Sequence, residues 1–445
     1  MRTAQQFDII LLLSMKNRYN LRPLALACLL FTVTACGKKA APGPTPGNNP
    51  PDTDPPASTN PTGMVLESLT GAVTANETAG FRYYVQNKVK APASGDGNIW
   101  VYGNSGKQAE ACGLMYETTH DMGILDRMRY LCDAALSQRN DLEPASKGGQ
   151  RKIWTGSIEP VWPSSSVDAT VQEAGVEQGE ILSHVVYCSL LILQNPSIWD
   201  TNVGIGDPNG YGATYKARAM KYITQADYVI DKWILPRFIR TADNNHYYFP
   251  GAPNDYKPND PAPWNQAWML TNGLVRLVQC HVLLNDDPNR VAQYDAIIKP
   301  NIDWFFANLK PNTSKSGSPC YLWAYAYPSG TEDANHFAYD TEGMWLAYSS
   351  GRYGITKAQL LPFANTYFDI ILSTVTNGIY AGKVDGTTGS GNSGGDNYVR
   401  DEYIYWTEIR PEKFETVANI EISKNKIASS PQITARLLWE KNRRK

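Results

Sequence analysis

Glu177-Gln178-Gly179-Glu180-Ile181-Leu182-Ser183-His184-Val185-Val186-Tyr187-Cys188-Ser189-Leu190-Leu191-Ile192-Leu193-Gln194-Asn195 is the stretch on which the fold turns. Its apolar residues Ile181, Val185, Cys188, Leu191 and Ile192 recur at helical spacing, and Pro196 follows as a stop. The same period runs through residues 123–139, 215–237, 264–284, 290–309, 341–352, 356–374 and 432–441, with broad apolar faces. Strand-like alternation is scarce. The connections over 200–212, 242–263 and 310–335 are long and rich in Gly, Pro, Asn and Asp, and structureless connections of that length usually carry function. Helices of about 15–20 residues joined by such loops, with no fixed repeat period, fit an all-α, incomplete (α/α) toroid of helical hairpins better than a TPR or ankyrin array.

Ahead of the helices stands Val33-Thr34-Ala35-Cys36-Gly37, where a bacterial lipoprotein signal would be cut and lipidated at Cys36. Lys16, Arg18 and Arg22 supply a basic n-region. Residues 24–35 form an apolar h-region ending in small side chains, shorter than the ~20 residues a spanning helix needs. Met15, just before the basic residues, is an alternative start. Residues 37–62 are dominated by Pro, Gly, Asn, Thr and Asp, too poor in apolar side chains to offset the entropy of ordering, and read as a tether. The expected layout is a signal over 1–36, a tether over 37–62 and one catalytic domain over 63–445. Such a protein is exported, periplasmic or at the cell surface, held at a membrane through its lipid alone, and monomeric.

With 42% hydrophobic and 19% charged residues and a net charge of −2, the 445-residue chain matches neither a general nucleic-acid binder nor an acidic disordered protein. Of its seven cysteines, Cys28 falls in the signal and Cys36 is the lipidation site. Cys112, Cys132, Cys188, Cys280 and Cys320 remain; they cannot all pair, and three fall in helical patterns. A disulfide scaffold is therefore excluded, no CxxC pair suggests zinc, and neither metal nor cofactor is expected. The 26 Tyr and 12 Trp suit carbohydrate, whose C–H faces pack on aromatic rings while OH and NH tips reach hydroxyls.

Few histidines compete for a chemical role. His184 and His281 lie within helical runs and read as structural groups, and His120 stands at a helix boundary without an obvious partner. His246 precedes Tyr247, Tyr248 and Phe249 in a loop-like stretch. His336 sits in Thr331-Glu332-Asp333-Ala334-Asn335-His336-Phe337-Ala338-Tyr339-Asp340, where a polar loop runs into a helix continuing through Glu342 and Trp345. A helix starting near Asn335 puts His336 and Tyr339 on one face. In Pro263-Trp264-Asn265-Gln266-Ala267-Trp268 a helix opens after a long loop, so Asn265 and Gln266 present amides where the N-terminus favours an anion; ordinary capping by Asn265 is the alternative. In Asp396-Asn397-Tyr398-Val399-Arg400-Asp401-Glu402-Tyr403-Ile404-Tyr405-Trp406 the Arg400 guanidinium stands within a turn or two of several phenols. A surface segment with Arg400 paired to Asp401 or Glu402 is the alternative there. The Gly- and Ser-rich residues 382–397 read as a lid or a surface loop.

Asn, His, Arg and Tyr without a metal motif suggest β-elimination on a uronic-acid polymer. Amide and imidazole donors neutralise the carboxylate beside C5 so that the enolate is stabilised, a phenol serves as base or acid, and an Arg binds the anion. The order of these clusters resembles the α/α-toroid polysaccharide lyases, most closely the alginate and glucuronan lyases of polysaccharide lyase family 38. The likeness covers about residues 107–427, including Trp154-Thr155-Gly156-Ser157-Ile158-Glu159-Pro160-Val161-Trp162-Pro163 and Gly175-Val176-Glu177-Gln178-Gly179-Glu180. The resemblance implies that Asn265 and His336 hold and neutralise the carboxylate, that Arg400 positions substrate, and that Tyr405 or Tyr403, or else Tyr339, is the acid/base. Trp264, Gln266, Tyr339, Trp162 and His246 would then line the substrate, His246 also rivalling His336 through its likeness to the Asn-Asn-His segment of another toroidal alginate-lyase family. Two other readings remain: a glycoside hydrolase using two of Glu177, Glu180, Asp333, Glu342 and Asp401, and a non-catalytic glycan-binding lipoprotein.

Overall fold

Burial decides which periodic stretches become the frame. The computed structural model describes residues 62–91, 107–164, 173–204, 206–251, 258–376, 379–388 and 400–444. The signal, the lipidation site Cys36, nearly all of the tether, and residues 389–399 of the Gly- and Ser-rich stretch and its continuation lie outside them. The described chain is all-α: its longer helices are α1 (Ala75–Asn87), α2 (Lys107–Thr119), α3 (Met122–Ser137), α4 (Gln178–Leu193), α5 (Tyr215–Val229), α6 (Trp264–Leu284), α7 (Pro288–Ala307), α8 (His336–Ser349), α9 (Lys357–Asn365), α10 (Phe414–Ser423) and α11 (Pro431–Arg443). α5 runs on through a π-helical turn, Ile230–Ile234, into Leu235–Phe238. Small antiparallel hairpins join β1 (Ile239–Arg240) to β2 (His246–Tyr247), β3 (Lys310–Thr313) to β4 (Pro319–Leu322) and β5 (Val375–Thr376) to β6 (Ile379–Tyr380).

Local chemistry sets the helix ends. Asp121, Thr214 and Ser430 each accept a backbone N–H two or three residues into α3, α5 and α11, replacing a hydrogen bond the first turn lacks. α8 begins five residues before its apolar periodicity does, because Asp333 caps it. Every residue of α4 is buried, which explains an apolar face too broad to be a stripe.

α4 packs between α2 and α6, α6 packs on α8, and α8 packs on a 3-10 segment, Asp401–Tyr405, that also touches α11; α11 in turn packs on α2. Outside these, α3 lies on α2 and α4, α5 on α4, α7 on α6, and α1 on α2, α3 and α11. Two glycines set the spacing around α6. A Cβ on Gly179 would stand 2.3 Å from the Leu270 Cα, and one on Gly343 would stand 2.5 Å from the Trp268 Cβ. α6 is thereby held tight against both α4 and α8.

The inward faces of α2, α4, α6, α8 and α11 carry a buried ion network. Arg276 donates to both carboxylate oxygens of Glu110 at 2.6 and 2.7 Å, and His184 Nδ1 lies 3.0 Å from the same carboxylate. Glu180 lies 3.3 Å from His184 Nε2. Burial opposes charge on His184, but hydrogen bonds to Glu110 and Glu180 outweigh it and raise its pKa to about 9. Arg436 donates to Glu342 at 3.1 Å and to Asp401 at 2.7 Å. Burial, then the negative charge of Glu180, pushes Glu342 up to about 7. No described helix is long and apolar enough to cross a membrane.

Candidate functional site

The cap of α8 is also the foundation of a site. Asp333 Oδ1 accepts the backbone N–H groups of Asn335 and His336 at 2.8 and 2.9 Å, and its carbonyl accepts that of Phe337 at 2.9 Å. Its other oxygen, Oδ2, lies 2.7 Å from His336 Nδ1. That bond fixes the imidazole and leaves Nε2 as the nitrogen open to a substrate. Burial opposes ionisation of Asp333, yet the His336 bond and charge and the two backbone donors outweigh it and hold the carboxyl below its usual range. The His336 and Asp333 side chains keep 27% and 25% exposure, so the pair reaches solvent. The Tyr325 ring leans on the imidazole at 4.7 Å between centroids.

Arg400 braces the same turn. Its Nη1 donates to the Asn335 carbonyl at 3.1 Å and to Asn335 Oδ1 at 2.8 Å, while Nε and Nη2 donate to Glu402 at 3.2 and 2.7 Å. With Oδ1 so held, the Asn335 Nδ2 group is left as a donor without a partner among the described residues. The guanidinium also lies 4.3 Å from the Tyr339 ring centroid, and Lys107 Nζ lies 4.6 Å from it. Lys107 pairs with the same Glu402. Burial would raise the Glu402 pKa, but Arg400 and Lys107 together hold it well below the usual carboxylate range. Two cations thus flank Tyr339, which is half-buried one helical turn after His336.

Behind this layer stand two fully buried carboxyls. Glu332 Oε1 accepts the Asp333 N–H at 2.8 Å and Asp340 Oδ2 accepts Trp323 Nε1 at 3.0 Å, while Glu332 Oε2 and Asp340 Oδ1 have no donor. Burial raises both, Glu332 well above the carboxylate range and Asp340 to about 7, and the two acids act on each other. A proton shared between the two unpartnered oxygens is the arrangement that satisfies both. Glu332, Asp333 and His336 also bring three ligand atoms within 4.8 Å of one another, the closest approach to a cation site among the described residues. Within this group Asp333 Oδ2 is taken by His336 Nδ1, while Glu332 Oε2 has no donor.

The structure places the other expected residues unevenly. His336, Tyr339 and Arg400 come together. Asn265 opens α6, buried, with Oδ1 unpartnered; Gln266 beside it also has a buried unpartnered Oε1. The Trp264 N–H donates to the Tyr325 carbonyl at 3.2 Å, which ties this end of α6 to the His336 ring through Tyr325.

The phenols after Arg400 need correction as substrate-facing groups. The 3-10 segment runs between α8 and α11, buried from Glu402 to Tyr405. The Tyr403 hydroxyl donates to the Ala334 carbonyl and its ring stacks on Tyr367 at 4.1 Å. Tyr405 lies against Trp345 at 5.0 Å with Arg436 over its ring. Burial raises both phenols far above their ordinary value. Trp162 is likewise core, its Nε1 donating to the Ala135 carbonyl at 2.7 Å, and Trp264 is packed edge-on against Trp304 and Phe305. His246 stacks on Trp304 at 4.2 Å, 3.6 Å from Asp243, which makes it part of a β2–α7 contact and not a rival centre. Arg400 differs from its expected role too: its donors are engaged by Glu402 and Asn335, so it positions protein groups.

Sequence reasoning missed Asp333 as the group orienting His336, Asn335 as an amide donor, and Lys107. Asp333 had a signal, an Asp just ahead of a helical run. Asn335 had none beyond proximity, and Lys107 stands 229 positions before His336 in the chain. Of the acids considered for hydrolysis, Asp401 pairs with Arg436, Asp333 with His336, and Glu177 accepts from the Gly175 N–H and Gln178, while Glu180 and Glu342 lie in the ion network, each with one buried oxygen that no donor reaches. No protein-family model, curated protein or solved structure matches the chain.

Proposed function

We propose that the protein is a polysaccharide lyase that cleaves a uronic-acid polymer such as alginate or glucuronan by β-elimination. The observation that carries this reading is the convergence at the start of α8: an imidazole oriented by Asp333, an amide oriented by Arg400, and a phenol one turn on between two cations. The succession α2, α4, α6, α8, Asp401–Tyr405, α11 and back to α2, with α3, α5 and α7 outside, supports an (α/α) toroid with this cluster at the N-terminal end of α8.

In the proposed reaction the substrate carboxylate is met by His336 Nε2 and Asn335 Nδ2, with Asn265 at the adjoining helix start as a further amide. These donors stabilise the negative charge that develops as the C5 proton leaves. Tyr339 takes the part expected of Tyr403 or Tyr405, accepting the C5 proton and returning one to the O4 leaving group. The C5–H and C4–O bonds break, a C4–C5 double bond forms, and no water is consumed. Lys107 and Arg400 favour an anion in front of Tyr339. An exported lipoprotein acting on polymer outside the cell remains the setting expected from Cys36 and residues 1–62.

The test is ultraviolet absorbance of the C4–C5 double bond during incubation with polymannuronate, polyguluronate, glucuronan and neutral glycans. Absorbance that rises with a uronan and is lost in Tyr339→Phe supports the reading. New reducing ends without absorbance would replace it with hydrolysis.

A further inference from the structure

Beside the His336 cluster lies an aromatic group that the elimination chemistry does not use. His246 and Tyr248, two residues apart, both stack on Trp304 of α7, at 4.2 and 6.1 Å between centroids. Tyr327 stands 5.6 Å from Trp304 with 43% of its surface exposed. The Arg240 guanidinium lies over the Tyr248 ring, 3.5 Å from its centroid, and gives one N–H to the Asn259 carbonyl at 3.2 Å. Asp243 accepts the Tyr248 hydroxyl at 2.5 Å and so fixes that ring.

Arg240 has no carboxylate partner among the described residues, unlike Arg237 on Glu159, Arg290 on Asp231 and Arg352 on Asp295. A guanidinium carries its donors in one planar fork, the geometry that takes a carboxylate bidentately. The link to the reaction centre is Tyr325. Its ring touches His336, its carbonyl holds Trp264, whose ring packs on Trp304, and Tyr327 follows two residues later.

We propose that Tyr327, Trp304, Tyr248 and Arg240 form a sugar subsite adjoining the reaction centre, which takes one further uronate unit of the same chain. The exposed Tyr327 ring packs on the C–H face of the sugar, and Arg240 binds its carboxylate. The ligand class rests on the lyase reading above.

The experiment uses the full chain carrying His336→Ala, so that ligand is not consumed, titrated calorimetrically with a tetrameric oligouronate and with a neutral tetrasaccharide. Arg240→Gln and Tyr327→Ala are then added singly. Loss of a charge-assisted contact corresponds to about 10–100-fold weaker oligouronate binding in Arg240→Gln. Tyr327→Ala is expected to weaken binding by a similar factor, and Arg240→Gln to erase the preference over the neutral sugar. Unchanged affinity in both variants, with double-bond formation intact in the wild-type chain, overturns the subsite and leaves the lyase reading standing. Weakening by Tyr327→Ala alone overturns the carboxylate contact. Absence of both double-bond formation and oligouronate binding overturns the lyase reading and the ligand class with it.

Discussion

Two clusters of carboxylate, imidazole and guanidinium stand in this molecule, and they differ in how their polar atoms are engaged. Inside the helices, Glu110, Arg276 and His184 face one another with side chains no more than 3% exposed. At the start of α8, Asp333 and His336 make one bond to each other and keep about a quarter of their surface. The inner set is closed on itself and holds helices together. The outer set has one face braced by Arg400, Glu402 and Asp333 and leaves His336 Nε2 and Asn335 Nδ2 for something else, with the Tyr339 phenol beside Arg400. Residue type alone does not separate the two; burial does.

The sharpest break between them is expected on removing one partner of the inner set. Arg276→Met leaves the Glu110 carboxylate buried against His184 alone, which costs about 3–5 kcal/mol in denaturant unfolding. The rate per folded molecule is expected to hold. A variant that loses activity while keeping its stability would place Arg276 in the chemistry and erase the distinction.

At the outer set the effects reverse. Tyr339→Phe removes the phenol proposed as acid/base and is expected to lower the elimination rate about 10²–10⁴-fold with little change in unfolding. Tyr403→Phe is the matched control. It removes only a donor to the Ala334 carbonyl, costs about 1 kcal/mol and keeps most of the rate. If the two phenylalanines exchanged roles, the placement of the acid/base would revert to the 3-10 segment. His336→Ala is expected to lose about 10²–10³-fold in rate, the effect of deleting one donor to developing negative charge, measured as initial absorbance slopes at saturating polymer.

The helical frame was legible because amphipathic or broadly apolar periodicity survives in α3 to α9 and α11. α2 was not, since it is buried along Ala109–Tyr116 with Lys107 and Glu110 among the inward residues, so it shows no polar face. α1 and α10 each bury only four residues, one of them an acid, Glu77 and Glu421, which interrupts the apolar face. The site was half legible. The segments 331–340 and 396–406 were found by their crowding of His, Asn, Arg and Tyr, but which Tyr faces outward depends on the 3-10 turn after Arg400, and no periodicity announces that. Tyr403 and Tyr405 read as acid/base phenols after an arginine; packing between α8 and α11 turned them into core.

The smallest effect concerns the acids behind the outer cluster. Asp340, pushed by burial from 3.8 up to about 7, and Glu332, raised with it, hold a proton in the fold that the unfolded chain releases near its ordinary carboxylate value. Their contribution to stability is therefore complete below the unfolded value and lost as pH rises through about 7. Asp340→Asn replaces the shared proton with a permanent amide donor to Glu332 Oε2, while its oxygen still accepts from Trp323. The slope of unfolding free energy against pH is expected to flatten across that window, with the variant about 1–2 kcal/mol more stable than the wild type on the alkaline side. Parallel curves would mean that the two carboxyls titrate apart, and that the layer under His336 and Asp333 carries a charge like the one in front of it.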